Sequence, residues 1–181
     1  MKKYLMILLT VCALISLQAA EASKVLVVYF SWSDSGNTAR VADMIAKETG
    51  ADLVKILPSK PYSRKYKEVL DRGRKELNKN LPCPIEKISK EVKNYDRIFV
   101  GTPIWFGTYA PPVKTFLQQN KFTGKKLFFF CTHGSGGAGR FFNDAAKLCP
   151  GAQIGKGFSC YGNHSAKAAP RVKKWLKENL K

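Results

Sequence analysis

Apolar residues in this chain alternate between short uninterrupted runs and longer segments in which they recur every three or four positions. The first run, KVLVVYFS at residues 24–31, lacks polar alternation and is typical of a strand buried on both faces. Val41, Ala42, Ile45 and Ala46 then recur at helical spacing. Continued along the chain, this pattern predicts five strands, at residues 24–31, 51–57, 97–101, 127–132 and 153–161, and five helices, at about residues 38–49, 62–78, 111–117, 140–148 and 170–180.

Strands that alternate with helices predict an α/β fold with a parallel sheet, right-handed crossovers and helices on both faces. A chain of 181 residues suits one such domain. In these sheets a ligand binds beyond the carboxyl ends of the strands, near the point where the strand order reverses. The loops after strands one, three and four are therefore the candidate site.

The first 22 residues have the pattern of a signal peptide. Two lysines near the start precede an apolar run from Leu5 to Leu17, and the small-residue sequence Ala20–Ala22 follows. The apolar run is shorter than the roughly 20 residues that span a membrane. We therefore expect cleavage before Ser23, a mature domain of residues 23–181 with no stable membrane span, and export to the periplasm or the medium.

The chain is strongly basic, with 31 lysine and arginine residues against 13 aspartate and glutamate residues, a formal net charge of +18. Two of these basic residues and one acidic residue lie in the predicted signal peptide, so residues 23–181 retain +17. Such a charge suits an anionic membrane surface, an acidic protein or nucleic acid as a neighbour. Export argues against nucleic acid. The cations alternate with apolar helix positions, so a solvated helix face is the simpler interpretation.

Cysteines and histidines predict no metal centre. Cys83, Cys131, Cys149 and Cys160 follow the predicted signal peptide, and none is spaced as Cys-x-x-Cys. An even number in an exported chain allows disulfides, with three possible full pairings, while buried apolar thiols are an equal alternative. The two histidines are widely separated in sequence.

The first candidate loop, SWSDSGNT at residues 31–38, ends where a helix is predicted to begin. Helix N-terminal amides lack internal partners and lie at the positive end of the helix dipole, so this loop suits a phosphate. It is not a Walker loop, because no Gly-Lys-Ser/Thr follows. The alternative is a serine-rich helix cap.

The second loop is rich in aromatic residues, and the third is rich in glycine. The second, residues 102–109, contains Trp105, Phe106 and Tyr109, which either stack on a planar ligand or pack as core. The third, residues 132–139, matches Gly-x-Gly-x-x-Gly but lacks the acidic residue about 20 positions later that a dinucleotide site requires. It is better interpreted as a flexible loop that approaches the edge of a ligand.

Taken in order, the three loops resemble those of flavodoxins and of the bacterial flavodoxin-like proteins related to them. The resemblance covers residues 24–181 and implies a flavodoxin-like, doubly wound, five-stranded parallel sheet in the order 2-1-3-4-5. It rests on Ser33-x-Ser35-Gly36-Asn37-Thr38, Gly101-Thr102-Pro103-Ile104-Trp105 and Thr132-His133-Gly134, with Tyr95-Asp96, Phe116-Leu117 and Gly124-Lys125 between them.

The resemblance implies a non-covalent FMN, with its phosphate on the first loop and its ring between the other two. We expect Trp105 to cover one face of the ring, His133 or loop amides to donate toward its pyrimidine oxygens, and Gly107 to allow a peptide flip toward its N5. The other face is expected to be open, since the third loop has no aromatic residue. The expected cofactor contacts are Ser33, Ser35, Gly36, Asn37, Thr38, Thr102, Pro103, Ile104, Trp105, Phe106, Gly107, Thr132, His133, Gly134, Ser135 and Gly136.

The sequence thus predicts an exported FMN-binding redox protein, acting as an electron carrier or as a small quinone-reductase-like enzyme. Its partners would be redox donor and acceptor proteins or a small quinone-like substrate. No residue is assigned a catalytic role. The alternative is a non-catalytic basic binding protein that keeps the scaffold without a flavin. Flavodoxins are typically acidic, so their basic docking partners are not implied for this chain.

Overall fold

The structure is a computed structural model that describes residues 23–180. The predicted signal peptide, residues 1–22, lies outside the described residues. The strands are β1 (Val25–Tyr29), β2 (Asp52–Lys55), β3 (Arg97–Trp105), β4 (Thr108–Tyr109), β5 (Lys126–His133), β6 (Gln153–Ile154) and β7 (Phe158–Tyr161). The helices are α1 (Asn37–Thr49), α2 (Tyr66–Asn78), α3 (Pro111–Gln119), α4 (Phe141–Lys147) and α5 (Ala169–Asn179), with short 3-10 helices at Val92–Asn94 and Gly162–Lys167. Within residues 23–180, no helix is long and apolar enough to cross a membrane.

The sheet confirms the predicted parallel order. Its strands run β2-β1-β3-β5, and β6 and β7 both pair in parallel with the outer side of β5. The predicted fifth strand is therefore two short strands rather than one. A Cβ at Gly155 would lie 2.3 Å from the ring of Phe128, and one at Gly157 would lie 2.4 Å from the ring of Phe142. Both glycines lie between the two strands, where an aromatic ring occupies the space of a side chain.

Helices cover both faces of the sheet, as predicted. Alternate residues of β1 point to opposite sides, so Leu26 and Val28 belong to the core under α2, α3 and α4, whereas Val27 packs against α1 and α5. Cys131 and Cys160 lie on neighbouring strands but in different cores. All four cysteines of the described chain are buried free thiols, which selects the thiol alternative over disulfides in this structure.

Two predicted boundaries are wrong. Strand β3 continues past Gly101 to Trp105 and turns back into β4, so the second loop is a hairpin with Phe106 and Gly107 at its tip. Both tip residues have positive φ, 51° and 76°, as this tight turn requires. Helix α2 begins at Tyr66 rather than Tyr62.

Candidate functional site

The carboxyl end of the sheet holds a cleft of about 220 Å³. It lies between the β1–α1 loop, the ends of β3 and β5, and the segment after β7. Its lining residues are Trp32, Ser33, Asn37, Thr38, Pro103, Ile104, Thr132, His133, Gly134, Tyr161, Gly162 and Asn163. The structure therefore brings the three candidate loops together and adds a fourth segment.

Helix α1 opens into this cleft with a free N-terminus. Its N-cap is Gly36 at φ 60°, which leaves the first-turn amides without a side-chain cap, and the first turn carries no acidic residue. Ser33 and Ser35 do not cap the helix; the Ser35 hydroxyl donates to Ser33 Oγ at 3.1 Å. Uncapped amides at the positive end of a helix dipole are suited to bind an anion.

Two buried contacts fix the start of α1. Thr38 Oγ1 and Thr132 Oγ1 are 2.8 Å apart, and both residues are buried, which ties α1 to the end of β5. The Asn37 amide accepts a hydrogen bond from Ser165 Oγ at 3.0 Å. A Cβ at Gly162 would lie 2.8 Å from Asn37 Nδ2, so only glycine leaves that amide in place. The start of α1 is thus tied to the end of β5 and to the segment after β7.

His133 forms one wall with its ring oriented by backbone. Its Nδ1 lies 2.6 Å from the carbonyl oxygen of Gly134, and since a carbonyl only accepts, Nδ1 carries the proton. Nε2 is then the ring nitrogen left to contact a ligand. The ring also contacts Tyr161 edge to face, and Tyr161 contacts His164, so the two histidines lie on either side of one tyrosine.

Trp105 lies outside the cleft, in an aromatic cluster beside it. Its ring makes edge-to-face contacts with Tyr62, Phe30 and Trp32 at centroid distances of 4.9, 5.7 and 6.3 Å. It packs closely on α2, where a Cβ at Gly73 would lie 3.1 Å from the ring. Trp105 lines a second cavity of about 400 Å³ with Phe106, Tyr66, Val69 and Leu70, and this cavity shares Trp32 and Ile104 with the cleft.

A buried polar network contacts this aromatic cluster through Tyr62. The Tyr62 hydroxyl donates to Glu76 and lies 3.4 Å from Cys83 Sγ, while Arg72 Nε donates to Glu76 at 2.7 Å. The Arg72 guanidinium also lies 4.0 Å from the centroid of the Tyr62 ring. Burial raises the pKa of both the Tyr62 hydroxyl and the Cys83 thiol, so both remain protonated at neutral pH.

Besides Trp105, Phe106 and the N-cap Gly36, five predicted contact residues do not line the cleft. Thr102 is fully buried, and its Oγ1 accepts from the Ala110 amide and donates to the Pro103 carbonyl. Gly107 accepts from the Arg140 amide through its carbonyl at 2.8 Å. Ser35, Ser135 and Gly136 are exposed beside the cleft without lining it.

Sequence reasoning missed four lining residues. Trp32 was within the first loop, Tyr161 is the last residue of β7, and Gly162 and Asn163 follow that strand. Because β7 is parallel to β5, its carboxyl end reaches the same edge of the sheet. The rule that selected the other loops would also have selected this one.

A model of the flavodoxin family matches residues 24–179. The chain belongs to the flavodoxin family. Solved structures with the same fold include two provisionally named flavoproteins from Bacteroides. The one from Bacteroides eggerthii is 27% identical, with a TM-score of 0.73 over 88% of this chain and 99% of that chain. The one from Bacteroides uniformis is 28% identical, with a TM-score of 0.74 over 86% of this chain and 98% of that chain.

A flavoprotein from Lactobacillus acidophilus, solved in complex with FMN, shares the fold at 23% identity, with a TM-score of 0.64 over 80% of this chain and 97% of that chain. No curated protein matches the sequence. Membership of the flavodoxin family supports the predicted cofactor, FMN. The individual residues expected to contact it stay predictions.

Proposed function

We propose that this protein is an exported FMN-binding redox protein. The observation that carries the proposal is the uncapped start of α1, which opens into the same cleft as an apolar wall and an oriented histidine. A ligand with a phosphate at one end and a flat, partly polar ring at the other matches this arrangement. FMN has both parts.

The residues at the α1 end of the cleft fit the phosphate. The first-turn amides of Asn37 and Thr38 have no side-chain cap, and Ser33 lines the cleft beside them. The nearby carboxylate of Asp34 is paired with Arg64, so it does not present an unpaired negative charge to the phosphate. These groups would hold the phosphate by hydrogen bonds and by the helix dipole.

The other end of the cleft fits a flat ring system. Pro103 and Ile104 supply an apolar wall, and Trp32 joins the cleft to the second cavity of about 400 Å³. Together the two spaces fall within the range of roughly 300–1,000 Å³ that is usual for small-molecule sites. When bound, FMN supplies the exchange of one or two electrons. The chain would orient the ring, exclude water from one side and offer the His133 ring as a hydrogen-bond partner.

Export and the type of redox partner belong to the same proposal. The signal-peptide pattern of residues 1–22 supports export, and N-terminal sequencing of protein from the producing cells should begin at Ser23. Retention of residues 1–22 would contradict export without affecting the cofactor proposal. Turnover of a quinone with a supplied reductant would identify a small reductase, whereas electron exchange with proteins alone would identify a carrier.

Flavin titration of the mature protein tests the cofactor. We expect FMN to bind at one equivalent, and riboflavin, which lacks the phosphate, to bind at least roughly tenfold more weakly because it forgoes charge-assisted hydrogen bonds. Ser33→Ala should weaken FMN binding more than the control Ser35→Ala, since only Ser33 lines the cleft. Protein that is colourless when purified and does not bind added FMN would refute the proposal and favour the non-catalytic binding protein.

A further inference from the structure

Carboxylates are scarce around the mouth of the cleft. Residues 102–109, 133–140 and 161–168 surround it and contain no aspartate or glutamate, whereas they contain Lys167 and Arg140, of which Arg140 is paired with Asp144. The remaining loop, residues 31–36, carries Asp34, which is paired with Arg64. Among the described residues, the loops at the end that would hold the flavin therefore present no unpaired carboxylate and one unpaired cation, Lys167.

Helix α2 and the segment before it extend this positive charge along the second cavity. Residues 60–79 contain eight cationic and three anionic side chains. Two of the anions are paired within the segment, as Lys65–Glu68 and Arg72–Glu76. Among the described ion pairs, none involves Lys67, Arg74, Lys75 or Asp71. The segment thus contains one unpaired carboxylate, Asp71, and a larger number of unpaired cations.

The free cations flank exposed apolar surface beside the cavity. Lys67, Leu70 and Arg74 are spaced i, i+3 and i+7, so they share one face of α2. Leu70 lines the second cavity, and the Arg74 guanidinium lies 5.5 Å from the centroid of the Phe106 ring at the hairpin tip. Tyr66, at the start of the same face, is 67% exposed. Cations beside exposed apolar contacts are the composition expected of a transient protein-binding surface.

We infer that this surface, formed by Lys67, Leu70, Arg74, Tyr66 and Phe106, docks an acidic redox protein at the flavin end of the molecule. The inference rests on the proposed function, because it requires an electron to leave or enter through this end. Complementary charge would steer an acidic partner to the site and speed its association by roughly 10- to 1,000-fold at low salt. The concentration of cations beside the redox cleft favours such a partner over a membrane surface.

Small inorganic oxidants test the surface without knowledge of the partner. The FMN-loaded mature protein is reduced with dithionite and mixed with ferricyanide, an anion, or with hexaamminecobalt(III), a cation. Each oxidant accepts one electron, so two are consumed per reduced flavin and the flavin protons pass to solvent. We expect the ferricyanide rate constant to fall with added salt and the hexaamminecobalt(III) rate constant to rise.

Charge-reversal variants localise the effect. The Lys67→Glu/Arg74→Glu variant should react roughly tenfold more slowly with ferricyanide at low salt. The control Lys174→Glu/Lys177→Glu changes the net charge equally on α5, which packs on the opposite face of the sheet, and should change the rate much less. Equal effects of the two variants would overturn the inference, because the response would then follow total charge alone.

Binding of labelled polyglutamate and of phosphatidylglycerol vesicles distinguishes the kinds of partner. Polyglutamate that binds the wild type and is released by the α2 reversal supports an acidic protein. Vesicles that bind through the same residues while polyglutamate does not would overturn the inference in favour of a membrane. Normal FMN binding, combined with oxidation rate constants that do not respond to charge, would refute the docking surface but not the proposed function. Failure to bind FMN would refute both.

Discussion

Replacing Thr38 by valine tests whether the hydroxyl pair at the base of the cleft holds two elements together. Thr38 and Thr132 are 1% and 4% exposed, and their oxygens are 2.8 Å apart. Valine keeps the shape of threonine but leaves the opposite hydroxyl buried without a partner, which costs about 1–3 kcal/mol. Removing both hydroxyls in Thr38→Val/Thr132→Val should be nearly neutral, so the coupling energy, the sum of the two single costs, should be about 2–6 kcal/mol in magnitude.

Urea unfolding of the wild type, both single variants and the double variant measures this coupling. In a domain of this size, each kcal/mol should lower the melting temperature by roughly 2–4 °C. The reasoning is refuted if the free-energy changes of the single variants add up to that of the double variant, since additive sites do not interact.

The same variants probe ligand binding. The pair has two hydroxyl hydrogens and uses one between its oxygens, so the second can be donated into the cleft. Loss of a hydrogen bond to a charged group costs about 1.5–3 kcal/mol, which corresponds to at least roughly tenfold weaker FMN binding by Thr38→Val. Unchanged FMN affinity would show that the amides of α1 hold the phosphate without this hydroxyl.

The remaining predictions concern the cleft floor and the thiols. Gly162→Ala should weaken FMN binding, because its Cβ would lie 2.8 Å from the Asn37 amide nitrogen. Gly136→Ala is the control, because its Cβ meets no atom within 4 Å and Gly136 does not line the cleft; equal effects would contradict this account. Burial raises the pKa of Cys131 and Cys149 to about 12, so their thiolates form only as the pH approaches that value. A thiol reagent at pH 8 should leave both unmodified in the folded protein and label both in denaturant, and rapid labelling of the folded protein would contradict their burial.

The predicted fold was recoverable from the sequence because its signals are local. The uninterrupted apolar run of β1 and the helical spacing from Val41 onward each follow from which faces are buried. The open start of α1 was equally local, since the glycine at its N-cap and the serines before it are adjacent in the chain. The resemblance of the loops then supplied the strand order.

The position of Trp105 could not be predicted in the same way. Its surroundings depend on Tyr62 and on Gly73, which come from a loop and a helix more than 30 residues earlier. In the sequence, Tyr62 fits the helical spacing of α2, but in the structure it lies in the loop before the helix. There its hydroxyl donates to Glu76 and its ring contacts the Arg72 guanidinium, and both of these residues belong to α2. These are contacts between distant segments, and periodicity carries no information about them.

The broken strand next to β5 has a consequence for how the molecule behaves at high concentration. A long, straight border strand exposes a continuous row of free backbone groups onto which another chain can add. Here that border consists of two residues in β6 and four in β7, separated by Gly155–Gly157. An incoming strand would meet only short, separated rows of free backbone groups, so the interrupted border disfavours edge-to-edge aggregation.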